Sequence, residues 1–244
     1  MKILVCISNV PDTTTKINFT PDKKAFITQG VQFIINPYDE IALTRALELT
    51  EKDGGSVTVV NVGEQTDATL RKALAVGATD AIRVNASPLD AFYVAKQIAA
   101  VAASQHYDLI LTGRESIDFN GAQVPSLLGE LLGIPSFNGC KSLVVENGQG
   151  TLHREIEGGI EVVACPFPLV AGASEGLAEP RIPNMRGIMS ARSKPLTVVE
   201  PVDAAPLTEV IGFDKPKPRS TVNLIPPDQP EKLIELLHTE AKIL

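Results

Sequence analysis

The chain has no tryptophan, and aromatic residues make up only 5% of its 244 positions. With so few rings for base stacking and a formal net charge of -7, neither a stacking platform nor a broad electropositive surface for nucleic acid is to be expected. Uninterrupted apolar runs of about 18 residues are missing too, which argues against a segment that spans a membrane. The opening "MKILVCISNV" is too short in its apolar part for a signal peptide and reads as a first strand. Cys6, Cys140 and Cys165 are odd in number and far apart, as expected of buried, reduced thiols in a cytoplasmic protein. His106, His153 and His238 are scattered, so neither a metal site nor histidine catalysis is expected.

Nucleotide-handling signatures are absent as well. There is no G-x-x-x-x-G-K-[ST] loop and no G-x-G-x-x-G after a strand, and the "GASEG" serine has no acid or histidine partner. Any nucleotide site here would therefore serve binding rather than turnover.

What is present is alternation. Apolar, β-branched runs at Ile3–Ile7, Val57–Val62, Ala81–Val84 and Leu109–Leu111 are separated by segments with helical spacing, Tyr38–Lys52, Gln65–Val76 and Leu89–Gln105. Strand–helix alternation predicts an α/β fold built on a parallel sheet. Between Ile7 and Tyr38 short alternating pieces predict a hairpin-like excursion, followed by "NPYDE", with Asn36 as cap and Pro37 in the first helical position. After Gly133, Asn147-Gly148 and Gly158-Gly159 predict hairpins. From Glu175 to Pro206, and again in Lys215–Arg219, the pattern weakens into an extended arm, and Pro230–Ile243 returns as an amphipathic helix. The division expected is an α/β domain over 1–190 and an arm with a helix over 191–244.

Ligands of open parallel sheets bind at the carboxyl ends of strands. The loops expected there are Cys6–Asp12, Asn36–Asp39, Val62–Gln65 and Gly113–Gln123, the last being the longest. Gly121, Ala122 and Gln123 precede Pro125 at a helix start, where free N–H groups and the helix dipole favour an anion. A plainer reading stands beside this one: Asp118 or Asn120 caps the helix and Gly121 makes the turn. Cys6 reads as inert packing. Arg181, Arg186, Arg192 and Lys194 read equally as a solvated face or as a partner-binding stretch.

Five blocks, "ILVCISNVPDT", "GVQFIINPYDEIAL", "GRESIDFNGAQV", "REIEGGIE" and "EPRIPNMRGIMSARSKPL", resemble in order and spacing the beta-subunit family of electron transfer flavoprotein. The resemblance implies a three-layer nucleotide-binding domain of the adenine nucleotide alpha hydrolase-like type. It also implies a heterodimer with an alpha subunit that holds most of an FAD, an electron carrier rather than an enzyme. Electrons would pass from acyl-CoA dehydrogenase-type donors to a downstream, quinone-reducing acceptor. The beta subunit would bury an AMP, or a second FAD in the bifurcating branch. Carried over, the nucleotide site comprises Cys6, Asn36, Pro37, Tyr38, Asp39, Val62, Ser116, Ile117, Asp118, Phe119, Asn120, Gly121, Ala122, Gln123, Val124, Pro125, Ser126 and Leu127. Backbone N–H groups from Asn120 to Val124 would receive the phosphate. Leu177 falls where the family docks a donor through a leucine, and Ser174, Glu175 and Gly176 beside it suggest that it is exposed. Many bifurcating members read "IDGDTAQVG" where this chain has "IDFNGAQVP", and the bulk of Phe119 favours AMP by leaving less room for a second flavin ring.

Overall fold

A computed structural model describes residues 1–218 and 222–244. In chain order, β1 (Lys2–Cys6) leads into an antiparallel pair, β2 (Asn9–Pro11) and β3 (Phe33–Ile35), then α1 (Pro37–Asp53), β4 (Ser56–Val62), α2 (Asp67–Val76), β5 (Asp80–Val84), α3 (Ala91–Ala103), β6 (Leu109–Gly113) and α4 (Val124–Leu132). The second half adds β7 (Ser136–Glu146), β8 (Gln149–Ile156), β9 (Gly159–Pro166), β10 (Leu169–Ala173), α5 (Met185–Ala191), β11 (Leu196–Val199) and α6 (Pro230–Thr239).

One nine-stranded sheet runs β11-β5-β4-β1-β6-β10-β7-β8-β9. It is parallel from β11 to β7 and antiparallel from β7 to β9. Alternation along β1 makes the layers. Ile3 and Val5 join the α1 and α2 side chains Leu43, Leu47, Leu70 and Leu74 in one buried cluster. Leu4 and Cys6 face the other way, with Ala95 and Ile98 of α3 and Leu128 of α4. The fold is thus the three-layer α/β arrangement expected of alternating strands and helices. From β1 the chain builds outward through β4 and β5, then returns to place β6 on the opposite side. This reversal makes a topological switch point between β1 and β6, the crevice where such sheets take ligands.

The excursion after β1 is the β2–β3 pair, with a Phe19–Phe26 bridge at its far end. Asn147 and Gly148 turn β7 into β8 with φ of +51° and +78°, as Asn-Gly hairpins do. The next turn falls on Glu157-Gly158, and Gly159 is already the first residue of β9.

The boundary expected at residue 190 lies later. β11 pairs in parallel with β5, from Leu196–Ala81 to Val199–Val84, so the sheet-bearing body runs through Val199. Two cations lock this segment to α2. Arg71 donates to the Ala191 and Lys194 carbonyls, each at 2.7 Å, and the Lys194 ammonium donates to Leu74 O at 2.9 Å and Ala78 O at 2.6 Å. Burial holds the Lys194 ammonium below its usual pKa. Arg181 forms a two-pronged ion pair with Glu51. Half of the basic stretch is therefore structural, while Arg186 and Arg192 are exposed.

Beyond Val199 the arm is extended. Val202 exchanges two hydrogen bonds with the Gln97 side chain, Leu207 and Thr208 donate to Asp90, and Phe213 stacks on Phe19 at 4.8 Å. Arg219 of the "KPKPR" run lies outside the described residues. The last helix, α6, stops at Thr239 and buries no residue, leaving Leu233 and Ile234 exposed.

Candidate functional site

Four loops meet at the β1/β6 switch point, and a few buried polar side chains hold them there. Asn36 is fully buried at the start of α1, yet its side chain makes no capping bond. It reaches across instead, its Nδ2 donating to Glu115 O at 2.8 Å and its Oδ1 accepting the Ile117 N–H at 3.1 Å. Pro37 in the first helical position has no N–H of its own to satisfy.

Asp39, one turn further, is also buried. Its carboxylate accepts the Ser8 N–H at 2.7 Å and the Gly113 N–H at 2.8 Å, tying the exits of β1 and β6 to α1. Gly113 permits this approach, because a Cβ there would lie 2.3 Å from Asp39 Oδ1 and 2.7 Å from the Tyr38 Cβ. Burial pushes the Asp39 carboxyl up to about 7, against the pull of its N–H donors. It also pushes the Cys6 thiol up, with the Asp39 charge adding to the effect, so Cys6 is a packed, inert group. Asn61 braces the neighbouring exit by donating to Ile7 O at 2.8 Å.

Cys6 and Val62 belong to one buried cluster, and Val124 and Leu127 pack against it. Tyr38 is half-buried, with the Arg114 guanidinium 5.6 Å from its ring centre. Ser116 and Ile117 are half-buried, whereas Asp118, Phe119, Asn120, Gly121, Ala122, Gln123 and Ser126 are exposed, and Pro125 is buried in the first turn of α4. The sheet edge thus gathers the sequence-predicted residues into one region, with an apolar floor and a polar, exposed rim.

The rim settles how α4 begins. Gln123 is the capping residue and makes no side-chain bond. Neither Asp118 nor Asn120 caps the helix. The Asn120 N–H donates to Ser116 O at 2.8 Å, and its amide, turned with nitrogen toward the chain, reaches Ser116 O and Ile117 O at 3.2 and 3.1 Å. Asn120 therefore folds back on its own loop, and its N–H is not free for a ligand. The N–H groups of Gly121, Ala122, Gln123, Val124 and Ser126 donate to no acceptor among the described residues. Asn120 and Ala122 hold φ of +51° and +52°, the left-handed region that non-glycine residues enter at a cost. Unpaired backbone donors at a helix start favour an anion.

Phe119 is 67% exposed at the rim. One expectation needs correction. Leu177 is 6% exposed and sits in the core cluster with Leu143 and Leu152. Its N–H bonds to Ser174 O at 3.2 Å, a tight turn that swings the side chain inward. The exposed apolar side chains of that segment are Ile182, Met185, Ile188 and Met189.

Ser8 and Gly113 lie in the loops Cys6–Asp12 and Gly113–Gln123 expected at this end of the sheet, but the sequence did not single them out as partners of Asp39. Nor did it point to Asn138, whose Nδ2 donates to Arg114 O and Ala122 O. Among the described residues no group of histidine, cysteine, aspartate and glutamate side chains is placed to hold a metal, and no helix is long and apolar enough to cross a membrane.

The electron transfer flavoprotein domain model matches residues 24–204, most of the chain and every strand from β3 to β11. The chain belongs to the electron transfer flavoprotein beta-subunit family. It is 34% identical to the Electron transfer flavoprotein subunit beta of Bacillus subtilis over 259 aligned positions that cover all of both chains. The Syntrophomonas wolfei subunit of the same name is 33% identical, covering 100% of this chain and 98% of its own length. The human subunit is 32% identical over 90% of this chain and 91% of its own. Family membership gives the chain a role in electron transfer by a flavoprotein, as a carrier component.

Proposed function

We propose that this electron transfer flavoprotein beta subunit holds one AMP at the β1/β6 switch point and pairs with an alpha subunit whose FAD carries the electrons. The observation that carries the reading is the uncapped start of α4, where five free N–H groups follow a loop held in left-handed backbone at the ligand-binding edge of the sheet. A phosphate there would be received by Gly121, Ala122, Gln123, Val124 and Ser126. The nucleoside would rest against Cys6, Val62 and the Tyr38–Asp39 turn, with Ser116, Ile117 and Asp118 beside it. AMP supplies no redox chemistry, so this chain's part is to order the loops at the sheet edge and to support the flavin domain.

A second reading keeps FAD in the same place, as in a bifurcating protein, and the bulk of Phe119 at the rim weighs against it. A nucleotide-hydrolysing protein of the same fold is a weaker third. Donor docking of the acyl-CoA dehydrogenase type, with a quinone-reducing acceptor downstream, is consistent with the exposed Ile182, Met185 and Met189 on and before α5, a helix fixed rigidly to α2. The exposed apolar side of α6 suits burial against the alpha subunit.

The test is to purify the complex with its alpha subunit, release the bound nucleotides and identify them by mass. One FAD with one AMP supports the reading. Two FAD per complex establish the bifurcating alternative, and ATP turnover by the complex the hydrolytic one.

A further inference from the structure

We infer that Asn138, in the second half of the sheet, is the positioning residue that sets the width of the phosphate loop. This assignment rests on the nucleotide reading above. Asn138 is half-buried near the start of β7. Its Nδ2 donates to Arg114 O at 3.1 Å and to Ala122 O at 3.3 Å, while its Oδ1 accepts the Gly139 N–H at 2.8 Å. Arg114 and Ala122 bracket the loop, so a single amide fixes the distance between its two ends.

One of those ends is already anchored. The Arg114 N–H donates to Ala173 O at 2.8 Å, which continues the β6–β10 ladder. Asn138 carries that anchor across to Ala122, whose φ of +52° needs support from its surroundings. The free N–H groups on either side of Ala122 take their direction from this backbone.

The opposite strand leaves room for the device. β7 and β10 slip register between Ala171 and Ala173. A Cβ on Gly172 would lie 2.1 Å from Asn138 Oδ1 and 3.0 Å from its Cγ, but 3.3 Å from its Cα. A side chain at 172 therefore collides first with the Asn138 amide and presses more lightly on the backbone that carries it. Asn138 and Gly172 form one unit.

The experiment uses the complex of the full chain with its alpha subunit, stripped of AMP and titrated with AMP and with adenosine. Loss of the two hydrogen bonds to the loop carbonyls, each of ordinary strength, predicts that Asn138→Ala weakens AMP about tenfold. Adenosine, lacking the phosphate, is bound as by the wild type, so the preference for AMP over adenosine shrinks by the same factor. Gly172→Ala gives the same shift, and the double variant gives no more than either alone, because the two act through one amide. Asn138→Asp keeps the Gly139 bond but turns an oxygen toward both carbonyls, and loses at least as much preference as Asn138→Ala. It carries the test if the alanine variant fails to fold. An unchanged preference in Asn138→Ala and Asn138→Asp, equal weakening of AMP and adenosine, or additive single effects would overturn the assignment alone. A wild-type complex that binds no AMP would overturn it together with the nucleotide reading.

Discussion

The Asp39 carboxylate and the Gly113 N–H meet at 2.8 Å, joining the first turn of α1 to the last residue of β6. The other Asp39 oxygen accepts the Ser8 N–H just past β1. One buried side chain thus ties together the exits of the two strands that flank the switch point. Asp39 and Asn36 shape the site from behind, because their polar atoms are engaged with the protein's own backbone.

Asp39 makes stability depend on pH in a defined direction. Its carboxyl titrates near 3.8 in the unfolded chain and is pushed up to about 7 by burial in the folded one. Between those values the folded protein binds more protons than the unfolded chain, so the Asp39 contribution is fully present below about pH 4 and is lost as pH rises through about 7. Urea midpoints measured from pH 4 to pH 8 should show this fall in the wild type, superimposed on other groups, and Asp39→Asn should remove it. An identical pH profile in the variant would contradict the assignment.

Gly113→Ala should destabilise the protein by about 1–3 kcal/mol, the usual range for overpacking. The added methyl meets Asp39 Oδ1 and the Tyr38 Cβ, so either the strand exit or the α1 turn must shift. Gly121→Ala is the control, because nothing lies within 4 Å of a Cβ at that position and its φ is not left-handed. Chemical denaturation of the two variants should separate them, and equal stability would show that the Asp39–Gly113 contact is not tight.

Leu177 and Met185 should behave in opposite ways. Leu177→Ala removes a core side chain and should cost about 2–5 kcal/mol, seen as a lower melting temperature. Met185, 73% exposed, carries little stability. Met185→Asp should leave the melt unchanged and slow reduction of the alpha subunit's flavin by an acyl-CoA dehydrogenase-type donor. Normal donor kinetics in that variant would place docking elsewhere.

Much of this fold could be read directly from the residues. β1, β4, β5 and β6 are compact apolar runs, and helical spacing between them leaves little choice but a parallel sheet. The returning strand β10 was harder, since "LVAGA" is as apolar as its neighbours and nothing local says that it inserts between β6 and β7. Asn36 was rightly placed at a helix start but misjudged in its partners, because an asparagine there ordinarily caps its own helix while this one serves a loop 79 residues away. Leu177 misled through its neighbours. Ser174, Glu175 and Gly176 look like a surface turn, yet Ser174 is itself 5% exposed and the turn points Leu177 inward. Asn138 and Gly172 left no trace in spacing or composition, since their pairing depends on a register slip between distant strands.

The central claim is that the loop and helix start at residues 121–126 receive a nucleotide phosphate. Amide hydrogen exchange of the alpha–beta complex, stripped and then reloaded with AMP, tests it most directly. The account predicts slowed exchange at Gly121, Ala122, Gln123, Val124 and Ser126 on AMP addition, a smaller effect with adenosine, and none at the β7–β8 hairpin tip. AMP binding that leaves those five amides unchanged, or that protects a different surface, would contradict it.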